Sequence, residues 1–185
     1  MQKIFLRPMG KKDAGLVAGW FNDSDNISFM GTAVRHVKHT PESIWNDIVE
    51  MKKFDPYYEH LFMVCLEGED EPIGHAGIDE ADMNDKRGEV FFLIGKKEHK
   101  GKGYAPMIVD LLMDYAFNKL GFNTLFATVC VENIAAIKTT ERTGFKRIGI
   151  RREYNFIGGR FVDEVFYDLT RKEYLESLER KKELK

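Results

Sequence analysis

A chain of 185 residues can form one domain with a sizeable core and is too short for two full ones. Hydrophobic residues at 43% and charged ones at 31% describe a globular protein and exclude wholesale disorder. The net charge of -2 gives no general attraction to nucleic acid or to an anionic membrane, so any anion site must be local.

In chain order, "KIFLR" (3–7) predicts a short strand stopped by Pro8. "KDAGLVAGWFND" (12–23) places Leu16, Val17, Trp20 and Phe21 at helical spacing, weakened by Gly15 and Gly19. The stretch 24–39 has no clear period and reads as a long loop. In "HTPESIWNDIVEMKKF" (39–54), Thr40 can cap a helix and Pro41 suits its first position, while Ile44, Trp45, Ile48 and Met51 share a face. Three strand-length apolar runs follow at 60–67, 72–79 and 88–95, the first two joined by the turn-rich "GEDE".

A second helix is expected over 104–122, with Met107, Ile108, Leu111, Leu112, Tyr115 and Leu120 on one face and Gly121 as its stop. A β-branched strand (123–131), a short helix (133–145, ended by Gly144) and a hairpin turned by "IGG" (157–159) complete the pattern. The charged 170–185 stretch reads as a helix or tail. The order is that of one mixed α/β domain over 1–185. Cys65 and Cys130 each sit in an apolar run, where a small buried thiol is usual, so a disulfide framework is not expected. The N-terminus has no apolar core of signal-peptide length and no apolar stretch could span a bilayer, so the cytoplasm is the expected compartment. No Cys/His/Asp spacing suggests a metal site.

The stretch "GKKEHKGKGYAPM" (95–107) lies between a strand and a helix. Gly101 and Gly103 let the main chain approach a ligand, Pro106 fits a first helical turn, and Lys96, Lys97, Lys100 and Lys102 add charge to the rim. Free N–H groups at a helix start favour a phosphate. A plain surface turn with solvated lysines has the same composition. A P-loop is excluded because Lys-Ser or Lys-Thr is absent at the required place, and Pro106 stands where a dinucleotide loop needs its third glycine.

On these residues the chain resembles the GNAT superfamily of acyl-coenzyme A N-acetyltransferases. The family loop Gln/Arg-x-x-Gly-x-Gly/Ala is matched by Lys100, Gly101, Lys102, Gly103, Tyr104 and Ala105, with Lys in place of Gln/Arg. Downstream, Asn133, Ala136, Gly144 and Phe145 keep the spacing of a second family block. "FLRPMGKKDAGLVAGWFND" and "GGRFVDEVFYDLTRKEY" are similar to the two ends of the branch that acetylates ribosomal-protein N-termini and spermidine. The resemblance covers nearly the whole chain.

It implies a mostly antiparallel sheet, flanked by helices, whose fourth and fifth strands splay apart. It implies acetyl-coenzyme A (acetyl-CoA) as co-substrate, the loop at 100–105 as diphosphate site, and backbone groups of Phe92, Leu93 and Ile94 paired with the pantetheine arm. Asn133 would add a polar contact and also cap a helix, and Lys138, with Arg142, would reach the outer phosphate. The acceptor is a primary amine: a protein N-terminus, a polyamine or another small amine. An amine with pKa ~10.4 must lose a proton, and Glu89 aligns with a frequent family base. Where many relatives carry a tyrosine acid, this chain has Thr140, a poorer acid, and Tyr104 and Tyr154 are near it only in sequence. Thr140 leaves open a non-catalytic module that binds coenzyme A (CoA) or a partner. His75 reads as a structural histidine and His99 as a loop residue. The acidic run 79–89 reads as a solvated turn or a lure for a cationic acceptor. A homodimer is in keeping with similar chains.

Overall fold

The computed structural model describes residues 2–183 other than Pro56, Tyr58 and Asp70. The last two residues of the expected C-terminal helix and Asp70 of the expected turn therefore lie outside the described residues. Among the described residues, seven strands form one mixed sheet: β1 (Ile4–Pro8), β2 (His60–Leu66), β3 (Gly74–Asp82), β4 (Arg87–Ile94), β5 (Thr124–Cys130), β6 (Lys146–Ile157) and β7 (Arg160–Thr170). Their order is β1-β2-β3-β4-β5-β7-β6. Every neighbouring pair is antiparallel except β4 and β5.

Side-chain alternation divides the strands between two helical layers. Ile78, Val90, Leu125, Ala127 and Val129 pack against α5 (Tyr104–Asp114), where Ile108 and Leu112 are fully buried. Met63, Cys65 and Leu93 point to the opposite layer, against Val17 and Trp20 of α1 (Ala14–Phe21) and Ile44 and Ile48 of α4 (Pro41–Phe54). Burying each such side chain contributes about 1.5–3 kcal/mol, which decides the register of every strand.

Several boundaries differ from expectation. The stretch 24–39 is not one loop: it holds two single-turn helices, α2 (Ser24–Ile27) and α3 (Thr32–Arg35). Asp23 accepts from the Asp25 N–H to cap α2, a local signal that periodicity over so few residues cannot reveal. Pro8 does not stop β1 but belongs to it, tolerated because β1 is an edge strand. The expected 104–122 helix is regular only to Asp114, then widens into a π turn over Tyr115–Lys119. Thr40 caps α4 as expected, accepting from the Ser43 N–H. Among the described residues, two further helices follow, α6 (Ile134–Arg142) and α7 (Arg171–Glu183).

The central feature is where the sheet opens. β4 stays with β3 as far as Ile94 opposite Gly74, and β5 stays with β7 as far as Cys130 opposite Glu164. Between them the parallel ladder covers only Arg87, Gly88 and Glu89 against Thr124, Leu125 and Phe126. Each strand follows its antiparallel partner, so the sheet parts in a V just past Glu89.

Candidate active site

The mouth of the V ends in the glycine-rich loop. Gly95 must be glycine because a Cβ there would lie 2.1 Å from the indole of Trp20. Its N–H donates to the Ile73 carbonyl, so the end of β4 is held from below. Gly101 and Gly103 adopt φ of 72 and 80, the left-handed region that favours glycine, and Gly103 precedes the first residue of α5. Among the described residues, no carbonyl or side chain takes the N–H groups of Gly101, Lys102, Gly103, Tyr104 or Ala105. Unpartnered amides at the start of an eleven-residue helix fit a diphosphate, with the helix dipole adding attraction.

The lysine rim is more engaged than the sequence suggested. Lys96 pairs with Glu71, and Lys97 with both Asp23 and Asp25. Lys100 donates to Asn26 Oδ1, whereas Lys102 is exposed. His99, expected as a loop residue, is buried at 7% exposure beside Tyr104, with Nε2 3.5 Å from Glu69. Neighbouring acidic residues thus brace the loop, and its backbone amides are left as open donors.

At the apex of the V, one oxygen of Glu89 accepts from both the N–H (3.1 Å) and the hydroxyl (2.6 Å) of Thr128. The Thr128 N–H lies beyond the last β4–β5 ladder pair, so the carboxylate fills the place a strand partner would have taken. Burial raises the Glu89 pKa above the ordinary carboxylate range, the Thr128 hydrogen bonds pull it back, and nearby Glu80 and Asp79 raise it further. A carboxylate so placed accepts a proton more readily than one in solvent.

Glu89 is not alone. Asp79 stands directly opposite it on β3, on the same face. Glu59 lies one step before the His60–Ile78 pair and continues the row across β2. Burial and the Asp79 charge push Glu59 up to about 7, and burial also raises Asp79. The acidic run is therefore only partly a solvated turn: Asp82 and Asp85 face Arg87 there, while Asp79 and Glu89 turn back into the sheet. Sequence reasoning missed Glu59 and Thr128. Counting register outward from the apolar runs was the signal for Glu59; none marked Thr128.

The remaining residues fall into two groups. Phe92, Leu93 and Ile94 lie along the β4 edge that has no β5 partner, and Asn133 sits just past the end of β5. Asn133 Oδ1 accepts from the Ala136 N–H as the α6 cap, so its amide donors remain for another partner. Lys138 is exposed on α6, and Thr140 is buried, its carbonyl accepting from Thr143 and Phe145. Tyr104 is buried in the core and Tyr154 is exposed beneath Arg151. His75 is fully enclosed, bonded through Nδ1 to the Phe62 carbonyl, and burial lowers it to about 4. Among the described residues, no group of three or more His, Cys, Asp or Glu side chains could hold a metal, and no helix is long and apolar enough to cross a membrane.

Residues 3–146 match the family profile "Acetyltransferase (GNAT) domain". The chain is 29% identical over 176 residues to the uncharacterized N-acetyltransferase p20 of Bacillus licheniformis, covering 94% of this chain and 96% of that one. It is 34% identical over 89 residues to the spermidine N(1)-acetyltransferase of Vibrio cholerae, covering 48% of this chain and 51% of that protein. The crystal structure of the Vibrio cholerae spermidine N-acetyltransferase in complex with CoA and spermine superposes with a TM-score of 0.82 at 23% identity, over 93% of this chain and 98% of that one. The chain belongs to the GNAT family of acetyltransferases, which move an acetyl group from acetyl-CoA to an amine.

Proposed function

We propose that this acetyltransferase acts on a small amine carrying more than one positive charge, with Glu89 as the base. The observation that carries the reading is the Glu89 carboxylate bonded to Thr128 at the apex of the V. Acetyl-CoA, when bound, supplies the acetyl group as an activated thioester. The amides of residues 101–105 hold its diphosphate, and Phe92, Leu93 and Ile94 lend backbone groups to its arm. Asn133 offers its free amide donors, and Lys138, with Arg142, serves the outer phosphate. A protonated amine cannot attack, so its proton passes to the Glu89 carboxylate. Thr140 offers only a hydroxyl to the departing thiolate, which is a good leaving group and needs little help.

Charge supports the acceptor class. Glu59, Asp79 and Glu89 all resist ionisation, chiefly through burial and then through neighbouring carboxylates, and a second ammonium on the acceptor favours their charged forms. Relatives named as spermidine acetyltransferases agree with this choice. Self-association belongs to the same reading: a neighbour is described as dodecameric, and the outer hairpin leaves Ile150, Phe156 and Phe161 exposed.

The test measures thiol release from acetyl-CoA with a triamine, a diamine, a monoamine of equal length and a short peptide with a free N-terminus. The kcat/KM is expected to be about tenfold or more higher for the di- and triamine, equivalent to ~1.4 kcal/mol. The advantage should shrink with added salt. Equal rates for the monoamine, or a preference for the peptide, would overturn the acceptor class.

A further inference from the structure

Asn26 is the third residue of α2 and is only partly exposed. Its Nδ2 donates to the carbonyls of Trp20 (3.3 Å) and Gly95 (3.2 Å), and its Oδ1 accepts from the Lys100 ammonium. One side chain thus ties together the end of α1, the end of β4 and the glycine-rich loop. We propose that Asn26 is a positioning residue that aims Lys100, still charged, at the diphosphate of acetyl-CoA. The inference rests on residues 101–105 being the diphosphate site.

The partners of the other lysines carry the argument. Lys96 and Lys97 face carboxylates, so their charge is spent within the protein. Lys100 hydrogen-bonds a neutral amide instead, and the carboxylate whose charge it feels, Asp25, is already paired with Lys97. An ammonium has three donors, so one hydrogen bond to Asn26 fixes its direction and leaves two for a ligand. An aspartate at 26 would hold Lys100 as firmly but neutralise it, and would lose both donors that the Trp20 and Gly95 carbonyls need. The Gly95 contact matters separately. Gly95 lies pressed against Trp20 where β4 gives way to the loop, so fixing its carbonyl fixes the strand edge relative to the helix start.

The experiment titrates CoA calorimetrically into the full chain and its Asn26→Asp, Lys100→Met and doubly substituted forms, with acetyl-transfer kinetics alongside. Asn26→Asp should raise the CoA Kd and the acetyl-CoA KM about tenfold, with kcat changed less than twofold. In the Lys100→Met background the same substitution should cost at least threefold less in Kd than it does with Lys100 present, the remainder being the lost Gly95 contact; a merely structural role would produce no such coupling. If Asn26→Asp fails to fold, Asn26→Ser replaces it: it stays neutral but no longer reaches Lys100, and a smaller rise of the same kind is expected. An unchanged Kd in a folded variant, or a penalty of full size without Lys100, overturns the inference and leaves the diphosphate site standing. Absence of CoA binding to the unsubstituted chain overturns the diphosphate site itself, and this inference with it.

Discussion

Replacing Glu59 with glutamine removes one carboxylate from a row in which Asp79 is its neighbour and Glu89 lies one strand beyond. In the folded chain the Glu59 pKa rises from 4.5 to about 7, chiefly through burial and then through the Asp79 charge. The native state thus binds this proton more tightly than the unfolded chain does. Stability is unaffected by the group below the unfolded value, falls as pH rises from 4.5 to about 7, and stays lowered above that. At ~1.4 kcal/mol per unit, the shift of about 2.5 units sets a ceiling near 3.4 kcal/mol. Glu59 is only partly buried, so solvent screening reduces this to roughly 1–2 kcal/mol. Glutamine does not titrate. Glu59→Gln should therefore be more stable than the parent at pH 8 by roughly 1–2 kcal/mol, or about 2–8 °C in Tm, with the gain largely gone by pH 5. Urea unfolding followed by the fluorescence of Trp20 and Trp45 measures it. A variant less stable at pH 8, or one whose gain is the same at both pH values, would refute the burial-and-repulsion argument.

The other expectations concern the apex and the end of β4. Glu89→Gln should lower kcat by about 10²–10³ while leaving the acetyl-CoA KM within about threefold, since a general base acts in the transition state and not in CoA binding. Thr128→Val removes a hydrogen bond that holds the Glu89 pKa down, so the acidic limb of the kcat profile should move to higher pH. Gly95→Ala forces a methyl into the Trp20 ring; a loss of roughly 1–3 kcal/mol is expected in chemical denaturation, with a raised acetyl-CoA KM.

Regular elements were legible because each carries its own periodicity or cap. The 60–67 and 88–95 runs became β2 and β4 within a residue or so, and Thr40 with Pro41 marked the start of α4. Helices α2 and α3 escaped notice because a single turn has no period to read, and their stability comes from contacts such as Asn26 with Gly95, 69 residues away. The glycines at 101 and 103 announced their backbone conformation, since positive φ is expensive for other residues. The lysines beside them did not announce their partners. Whether Lys97 is solvated or paired depends on where Asp23 and Asp25 come to rest, the nearer of them 72 residues earlier in the chain. Glu89 stood out through family resemblance. Its company of Glu59, Asp79 and Thr128 emerges only once strand register and the opening of the sheet are known.

The central claim is that free amides at the start of α5 receive the diphosphate while the open β4 edge receives the arm. Backbone amide chemical shifts, followed by NMR during titration with CoA and separately with pantetheine, test it most directly. CoA should move the Gly101, Lys102 and Gly103 resonances strongly, whereas pantetheine, which lacks phosphate, should disturb only residues along β4 and β5. Unmoved loop resonances at saturating CoA would contradict the claim.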